Sequence, residues 1–279
     1  REGLVLVSGS WIFISLISAL PMTISGVIPD YIDSLFEMVS GFTTTGASAL
    51  TAVEQLPHAI NLWRCFSNWI GGMGVIVFIL TIVPMTGSNA NMYLMRAESP
   101  GPSFGKLVPK LKNTAMLLYI MYIALTLVQL VLLLCGGLDF YEAICISLAT
   151  AGTGGFGIRD SGFSMYSSYV QIVVTIFMFL FGVNFKFYFL LLMRKVKDAF
   201  MIEEVWWYTI LFVVSSGLIT VNILPIIGTV GGSIKHAAFQ VATVMTTTGF
   251  ATTNFDEWPE FSKLLLGTLM FVGACSGST

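Results

Sequence analysis

Charge is what this sequence has least of. Lys, Arg, Asp and Glu make up 10% of its 279 residues, against roughly 25% in soluble domains. Water cannot be the solvent for most of such a surface. The two signs nearly cancel, 13 bases against 15 acids, so no basic field exists to hold nucleic acid. Histidine occurs only at His58 and His236, too far apart for a metal set, and both read as interfacial residues. Cys65, Cys135, Cys145 and Cys275 form no CxxC pair and no zinc or disulfide spacing; they read as small buried hydrophobes. There is no His-Glu-x-x-His and no phosphate-cradling Gly-x-x-x-x-Gly-Lys, so no organic cofactor is expected in this chain. Strands of alternating apolar and polar residues, the mark of a transmembrane β-barrel, are missing too.

What is present is long apolar runs, at 56% hydrophobic residues overall. Crossing a hydrocarbon layer of ~30 Å takes roughly 20 apolar helical residues. Six stretches qualify wholly or nearly: about 4–25, 60–83, 114–135, 170–193, 206–227 and one from 262 onward. Between the members of each pair lie more polar segments, 26–59, 138–168 and 228–261, rich in Thr, Ser and Gly. Each starts as a helix too short to span a bilayer and then reaches a glycine-bearing turn. The pattern is an internal repeat: long helix, short helix, turn, long helix. It divides the chain into units at 1–86, 87–197 and 198–279, the third cut within its closing helix. An opening without Met and an end inside an apolar run read as a fragment lacking both ends.

Acids dominate the three polar segments, with only Arg159 and Lys235 as bases there. The opposite connections carry Arg96, Lys106, Lys110 and Lys112, then Arg194, Lys195 and Lys197. Lys and Arg accumulate on the cytoplasmic side, so the short helices and their turns are expected to enter from outside. A negative vestibule concentrates cations at its mouth.

The turns read Ser-Gly-Phe-Thr-Thr-Thr-Gly-Ala-Ser at 40–48, Ala-Thr-Ala-Gly-Thr-Gly-Gly-Phe-Gly at 149–157 and Met-Thr-Thr-Thr-Gly-Phe-Ala-Thr-Thr at 245–253. They centre on Gly46, Gly154 and Gly249, although the doublet Gly154-Gly155 leaves the second register open by one residue. Non-helical backbone at membrane depth is tolerated where protein encloses it or water meets it. Lining a pore meets that condition, and rings of carbonyls there can replace the hydration shell of an alkali cation. A glycine at φ > 0 lets successive carbonyls face one way. The short helix turns its partially negative C-terminal end toward the ion. The turns hold no carboxylate, which favours a monovalent over a divalent cation.

Leu-Phe-Glu-Met-Val-Ser-Gly-Phe-Thr-Thr-Thr-Gly-Ala-Ser (35–48), Asn-Trp-Ile-Gly-Gly-Met-Gly (68–74) and Arg-Ala-Glu-Ser-Pro-Gly-Pro (96–102) are distinctive. So are Ala-Phe-Gln through Thr-Thr-Thr-Gly-Phe-Ala-Thr-Thr (238–253) and Gly-Ala-Cys-Ser-Gly-Ser-Thr (273–279). On these stretches, which run the length of the chain, the sequence resembles the membrane subunits of Trk-type potassium uptake systems, in the superfamily with Ktr and HKT transporters. The resemblance implies an all-α membrane protein of potassium-channel-like units (helix, pore helix, filter turn, helix), three of an expected four being present. It implies K+ as the transported ion and a filter at Thr44, Thr45 and Gly46, at Gly152, Thr153 and Gly154, and at Thr247, Thr248 and Gly249. Where a channel signature has its second glycine this chain has Ser48, Phe156 and Ala251, so weaker potassium–sodium discrimination is expected.

The run Gly273, Ala274, Cys275, Ser276, Gly277, Ser278 and Thr279 interrupts an apolar helix. Small residues there suit close helix packing; the resemblance implies an intramembrane gating loop below the filter. Lys186 lies about two helical turns before Arg194 and either faces a cavity or snorkels to the headgroups; Asn184 is placed to cap a local break. Arg64 and Lys263 read as interfacial anchors, and Trp63, Trp69, Trp206 and Trp207 as belt residues. Membrane lipid is the surrounding partner. The resemblance adds a homodimer in the cell membrane and cytoplasmic nucleotide-binding regulatory subunits of the KTN/RCK type. The alternatives are a sodium-permeable or ion-coupled carrier, and an intramembrane enzyme with Ser276 or Ser278 as nucleophile, for which no base stands in a spanning segment.

Overall fold

A computed structural model describes residues 2–74 and 111–272. The described part is helical, and no strand occurs among the described residues. Its elements are α1 (Glu2–Ile24), α2 (Tyr31–Phe42), α3 (His58–Gly72), α4 (Leu111–Cys135), α5 (Phe140–Ala151) and α6 (Ser168–Gly182). Then come α7 (Phe185–Leu192), α8 (Val196–Phe200), α9 (Glu203–Ile227), α10 (Val230–Met245) and α11 (Glu260–Val272). Long helices α1, α4 and α9 are each followed by a short one, α2, α5 or α10, then by a turn and a closing helix, α3, α6 or α11.

Two of the short helices start at aspartate caps. Asp30 accepts from the Ile32 N–H at 2.7 Å and Asp139 from that of Tyr141 at 3.0 Å, each satisfying a donor the first helical turn leaves free. Each long opening helix ends beside a positive-φ glycine, at Gly26, Gly137 and Gly228.

Apolar runs become membrane-length helices at Met116–Cys135 and Glu203–Ile227, and Ser8–Ile24 adds a 17-residue apolar stretch. The expected continuous span over 170–193 is corrected. α6 and α7 meet at an 87° bend, because Val183 is extended and Asn184 starts a new helix by accepting from the Lys186 N–H at 2.9 Å. The stretch expected over 60–83 is described as far as Gly74, and the 94–112 connection falls almost wholly outside the described residues, as does the proposed gating run from Gly273 to Thr279.

The units interlock in order. α2 packs on α1 and α3; α5 packs on its own α4 and α6 and also on α3 of the preceding unit. α10 likewise packs on α9 and α11 and on α6 of the preceding unit. Eight of the twelve residues of α5 are buried, among them Ala143, Ser147 and Thr150. A short helix with its polar turn is thus walled by protein, the condition a break in helical backbone needs inside a membrane.

Candidate functional site

Each short helix ends in the same hydrogen-bonded closure. In the first, the Thr44 N–H bonds Gly41 O at 3.1 Å and the Thr45 N–H bonds Ser40 O at 2.9 Å. The second repeats this with Thr153 to Thr150 at 3.0 Å and Gly154 to Ala149 at 3.2 Å. The third does so with Thr247 to Val244 at 3.1 Å and Thr248 to Thr243 at 2.9 Å. This is a Schellman-type ending, whose left-handed position normally holds glycine. Here threonine fills it three times: Thr44 (φ 53°), Thr153 (φ 49°) and Thr247 (φ 56°). A β-branched residue with positive φ is an outlier, costing of order 1–3 kcal/mol and typical of functional sites.

Two residues on, φ is positive again, at Gly46 (76°), Gly155 (72°) and Gly249 (84°). The dihedrals therefore align Thr44-Thr45-Gly46 with Thr153-Gly154-Gly155 and Thr247-Thr248-Gly249. The second turn sits one residue later than the set Gly152, Thr153 and Gly154 read from sequence; Gly152 is the helix cap, matching Thr43 and Thr246. In this register the residues two past each glycine are Ser48, Gly157 and Ala251, so Gly157 replaces Phe156 at that place.

The turns stand side by side. A side chain on Gly46 would collide with the carbonyl oxygen of Gly154, and one on Gly155 with that of Thr248. The same position of one turn thus abuts the same carbonyl of the next, twice. Beside Gly249 the corresponding place meets no described residue within 4 Å and faces a cavity of 270 Å³ lined by Gln240, Thr243, Thr247 and Phe255.

Behind the first turn lies a buried ion pair. Glu37 of α2 is 0% exposed and Arg64 of α3 is 1% exposed. Arg64 Nε donates to Glu37 Oε1 at 2.7 Å, and Nη1 donates to Asn61 Oδ1 at 2.6 Å and, longer, to Gly157 O at 3.4 Å. Glu37 also accepts from Ser48 Oγ at 2.9 Å and from the Ala49 N–H at 3.2 Å, and the guanidinium lies 4.4 Å from the Phe156 ring centre. Arg64 is therefore no interfacial anchor, and Glu37 has no access to solvent. Trp69 also leaves the belt: it packs against Tyr122 and Phe66 and donates to Thr126 Oγ1 at 3.3 Å. Trp206 and Trp207 are exposed. Cys65 and Cys145 are buried, whereas Cys135 is exposed.

The loops after the turns are tied to one another. The Val53 N–H donates to Asp160 Oδ1 at 2.7 Å, the Asp160 N–H to Glu54 Oε1 at 3.2 Å, and the Phe163 N–H to Ala251 O at 2.8 Å. Arg159 pairs with Glu142, which raises its already high pKa. Burial pushes the Tyr166 phenol up to about 12. His236 Nδ1 meets Thr252 Oγ1 at 3.0 Å, and His58 stacks on Tyr141.

Asn184 lies apart from the turns. It lines a cavity of 180 Å³ with Glu204, Tyr208, Met245 and Val272, and its Nδ2 donates to Glu204 Oε2 at 3.1 Å. Lys186 is half-buried in the first turn of α7. No group of three or more His, Cys, Asp or Glu that could hold a metal occurs among the described residues. What the turns offer a cation is neutral peptide oxygen.

Known proteins resemble the chain along its whole length. The sequence model of the family described as "TrkH: Cation transport protein" matches residues 1–279. The Trk system potassium uptake protein TrkH of Escherichia coli K12 is 35% identical over all of this chain and 59% of its own length. The Halomonas elongata TrkH is 31% identical with the same coverage. The crystal structure of the potassium transporter TrkH from Vibrio parahaemolyticus matches with TM-score 0.82 at 28% identity, covering 100% of this chain and 57% of that one. The chain thus spans somewhat over half the length of these relatives.

Proposed function

The chain belongs to the TrkH family of cation transport proteins, and on that premise we propose that it forms three quarters of a pore carrying potassium ions into the cell. The observation that carries the reading is the threefold recurrence of one strained backbone: positive φ at Thr44, Thr153 and Thr247 and again at Gly46, Gly155 and Gly249, with neighbouring turns in contact. A sign change of φ at alternate residues lets carbonyls face a common side, where they replace ion hydration. The filter then comprises Thr44, Thr45, Gly46, Thr153, Gly154, Gly155, Thr247, Thr248 and Gly249, with Gly152 as the cap beneath the second turn.

In this reading the units are 1–86, 87–197 and 198–279, and the open place beside Gly249 receives a fourth unit. The turns face outward, with Arg194, Lys195 and Lys197 on the cytoplasmic side. The run Gly273 to Thr279 gates the pore from below, and α7 with Asn184 and Lys186 borders its inner mouth. Regulatory nucleotide-binding subunits dock on the cytoplasmic face of a homodimer, as the name of a Trk system suits. Ser48 and Ala251 after the filter glycines leave fewer rigid sites than a channel filter and favour modest discrimination against sodium.

The test is rescue of a potassium-uptake-deficient bacterium at low external potassium by the chain in its natural full-length context. Growth is expected. Failure with expression verified, together with sodium uptake, would replace this reading by the sodium-permeable one.

A further inference from the structure

Turns one and three contain a hydroxyl pair that turn two lacks. Thr43 and Thr45 share a hydrogen bond between their Oγ1 atoms at 2.8 Å, and Thr246 and Thr248 do the same at 2.8 Å. The corresponding residues of the second turn are Gly152 and Gly154. Both glycines are covered by Asn68 of α3: a Cβ on Gly152 would strike its backbone carbonyl, and one on Gly154 its carboxamide. The room left by the absent threonine side chains is therefore filled from the preceding unit, by a residue that is 0% exposed.

That carboxamide joins two turns. Oriented so that unlike atoms meet, it donates from Nδ2 to Gly41 O at 2.9 Å and accepts at Oδ1 from the Phe156 N–H at 3.1 Å. Gly41 stands at the end of the first short helix, and Phe156 directly follows the second filter glycine. The seam between the second and third turns is built differently. α3 and α6 each have 15 residues, and their last glycines both pack on the next turn's cap: Gly72 on Gly152 and Gly182 on Thr246. In that alignment Asn68 corresponds to Met178 and Arg64 to Val174, both apolar and fully buried.

We propose that Asn68 is a specificity-determining positioning residue, a strut that replaces the missing threonine pair and fixes the distance between the first and second turns. The proposal rests on the pore reading above. Where cavity size sets selectivity, a ring of carbonyls discriminates against a smaller ion as far as it resists closing around it. Cutting the strut lets the ring contract, and sodium gains entry.

The experiment compares initial rates of Rb+ and Na+ uptake into liposomes holding the full-length protein, as wild type, Asn68→Leu, Asn68→Asp, Asn68→Ala/Gly154→Thr and Met178→Leu. Loss of both hydrogen bonds predicts a fall of about tenfold or more in the Rb+/Na+ ratio for Asn68→Leu. Asn68→Asp keeps the bond from Phe156 but sets a buried carboxylate oxygen against the Gly41 carbonyl, and falls at least as far. Asn68→Ala/Gly154→Thr restores the threonine in the vacated space and recovers much of the ratio, which a merely structural role would not produce. Met178→Leu leaves the ratio unchanged. An unchanged ratio in Asn68→Leu overturns the proposal, and so does failure of every Asn68 variant to accumulate, which would assign the residue to folding. A wild-type protein that takes up no Rb+ sinks the pore reading itself.

Discussion

Replacing Arg64 by methionine removes the cation from a pair that has no access to water. Glu37 would keep the hydroxyl of Ser48 at 2.9 Å and the Ala49 N–H at 3.2 Å but lose its counter-charge, while Asn61 and the Phe156 ring lose the guanidinium. Breaking one side of a buried pair costs about 3–5 kcal/mol. At roughly 2–4 °C per kcal/mol, the apparent melting midpoint of the detergent-purified protein should fall by roughly 6–20 °C, followed by tryptophan fluorescence or by the surviving monodisperse fraction after heating. The variant Glu37→Gln/Arg64→Met removes both charges at once. Because the desolvation of two ions largely offsets their attraction, it should return to within about 1 kcal/mol of wild type. A single variant that melts within a degree of wild type, or a double variant no more stable than the single, would refute the assignment of that pair as a structural tie behind the first turn.

The other expectations concern the turns and the break in the second closing helix. Gly155→Ala adds a collision with the Thr248 carbonyl to the strain of positive φ, whereas Gly137→Ala, at a similarly positive φ outside the filter, adds strain of about 1 kcal/mol alone, since no described residue lies within 4 Å of its new methyl group. Rb+ uptake should therefore fall much further in the first than in the second. Equal losses would count against the side-by-side arrangement. Asn184→Ala removes the cap of α7 and the bond to Glu204 and should lower stability by about 1–2 kcal/mol. A neutral result in thermal unfolding would mean that the bend is held by packing alone.

The repeat was legible because each Thr- and Gly-bearing turn stands out from apolar runs of membrane length. The second register was not, since a Gly-Gly doublet carries no side chain to anchor it; only φ separates Gly155 from Gly154. Glu37 and Arg64 are 27 residues apart and sit where charges on other helices meet water, so nothing local distinguishes a buried partner from a solvated one. Asn68 opens the run Asn-Trp-Ile-Gly-Gly-Met-Gly, in which no neighbouring residue marks it as a contact to another unit. Its counterparts in space, Gly41, Gly154 and Phe156, come from two different units. The bend at Val183 interrupts a run with no proline, and Asn184 was its one visible mark.

Anomalous scattering from Rb+ or Tl+ bound to the full-length protein bears most directly on whether these peptide oxygens take the place of water around the ion. Density is expected between the turns, within coordination distance of carbonyls from Thr44, Thr45, Thr153, Gly154, Thr247 and Thr248. Ions found only elsewhere, at concentrations that saturate uptake, would contradict the account.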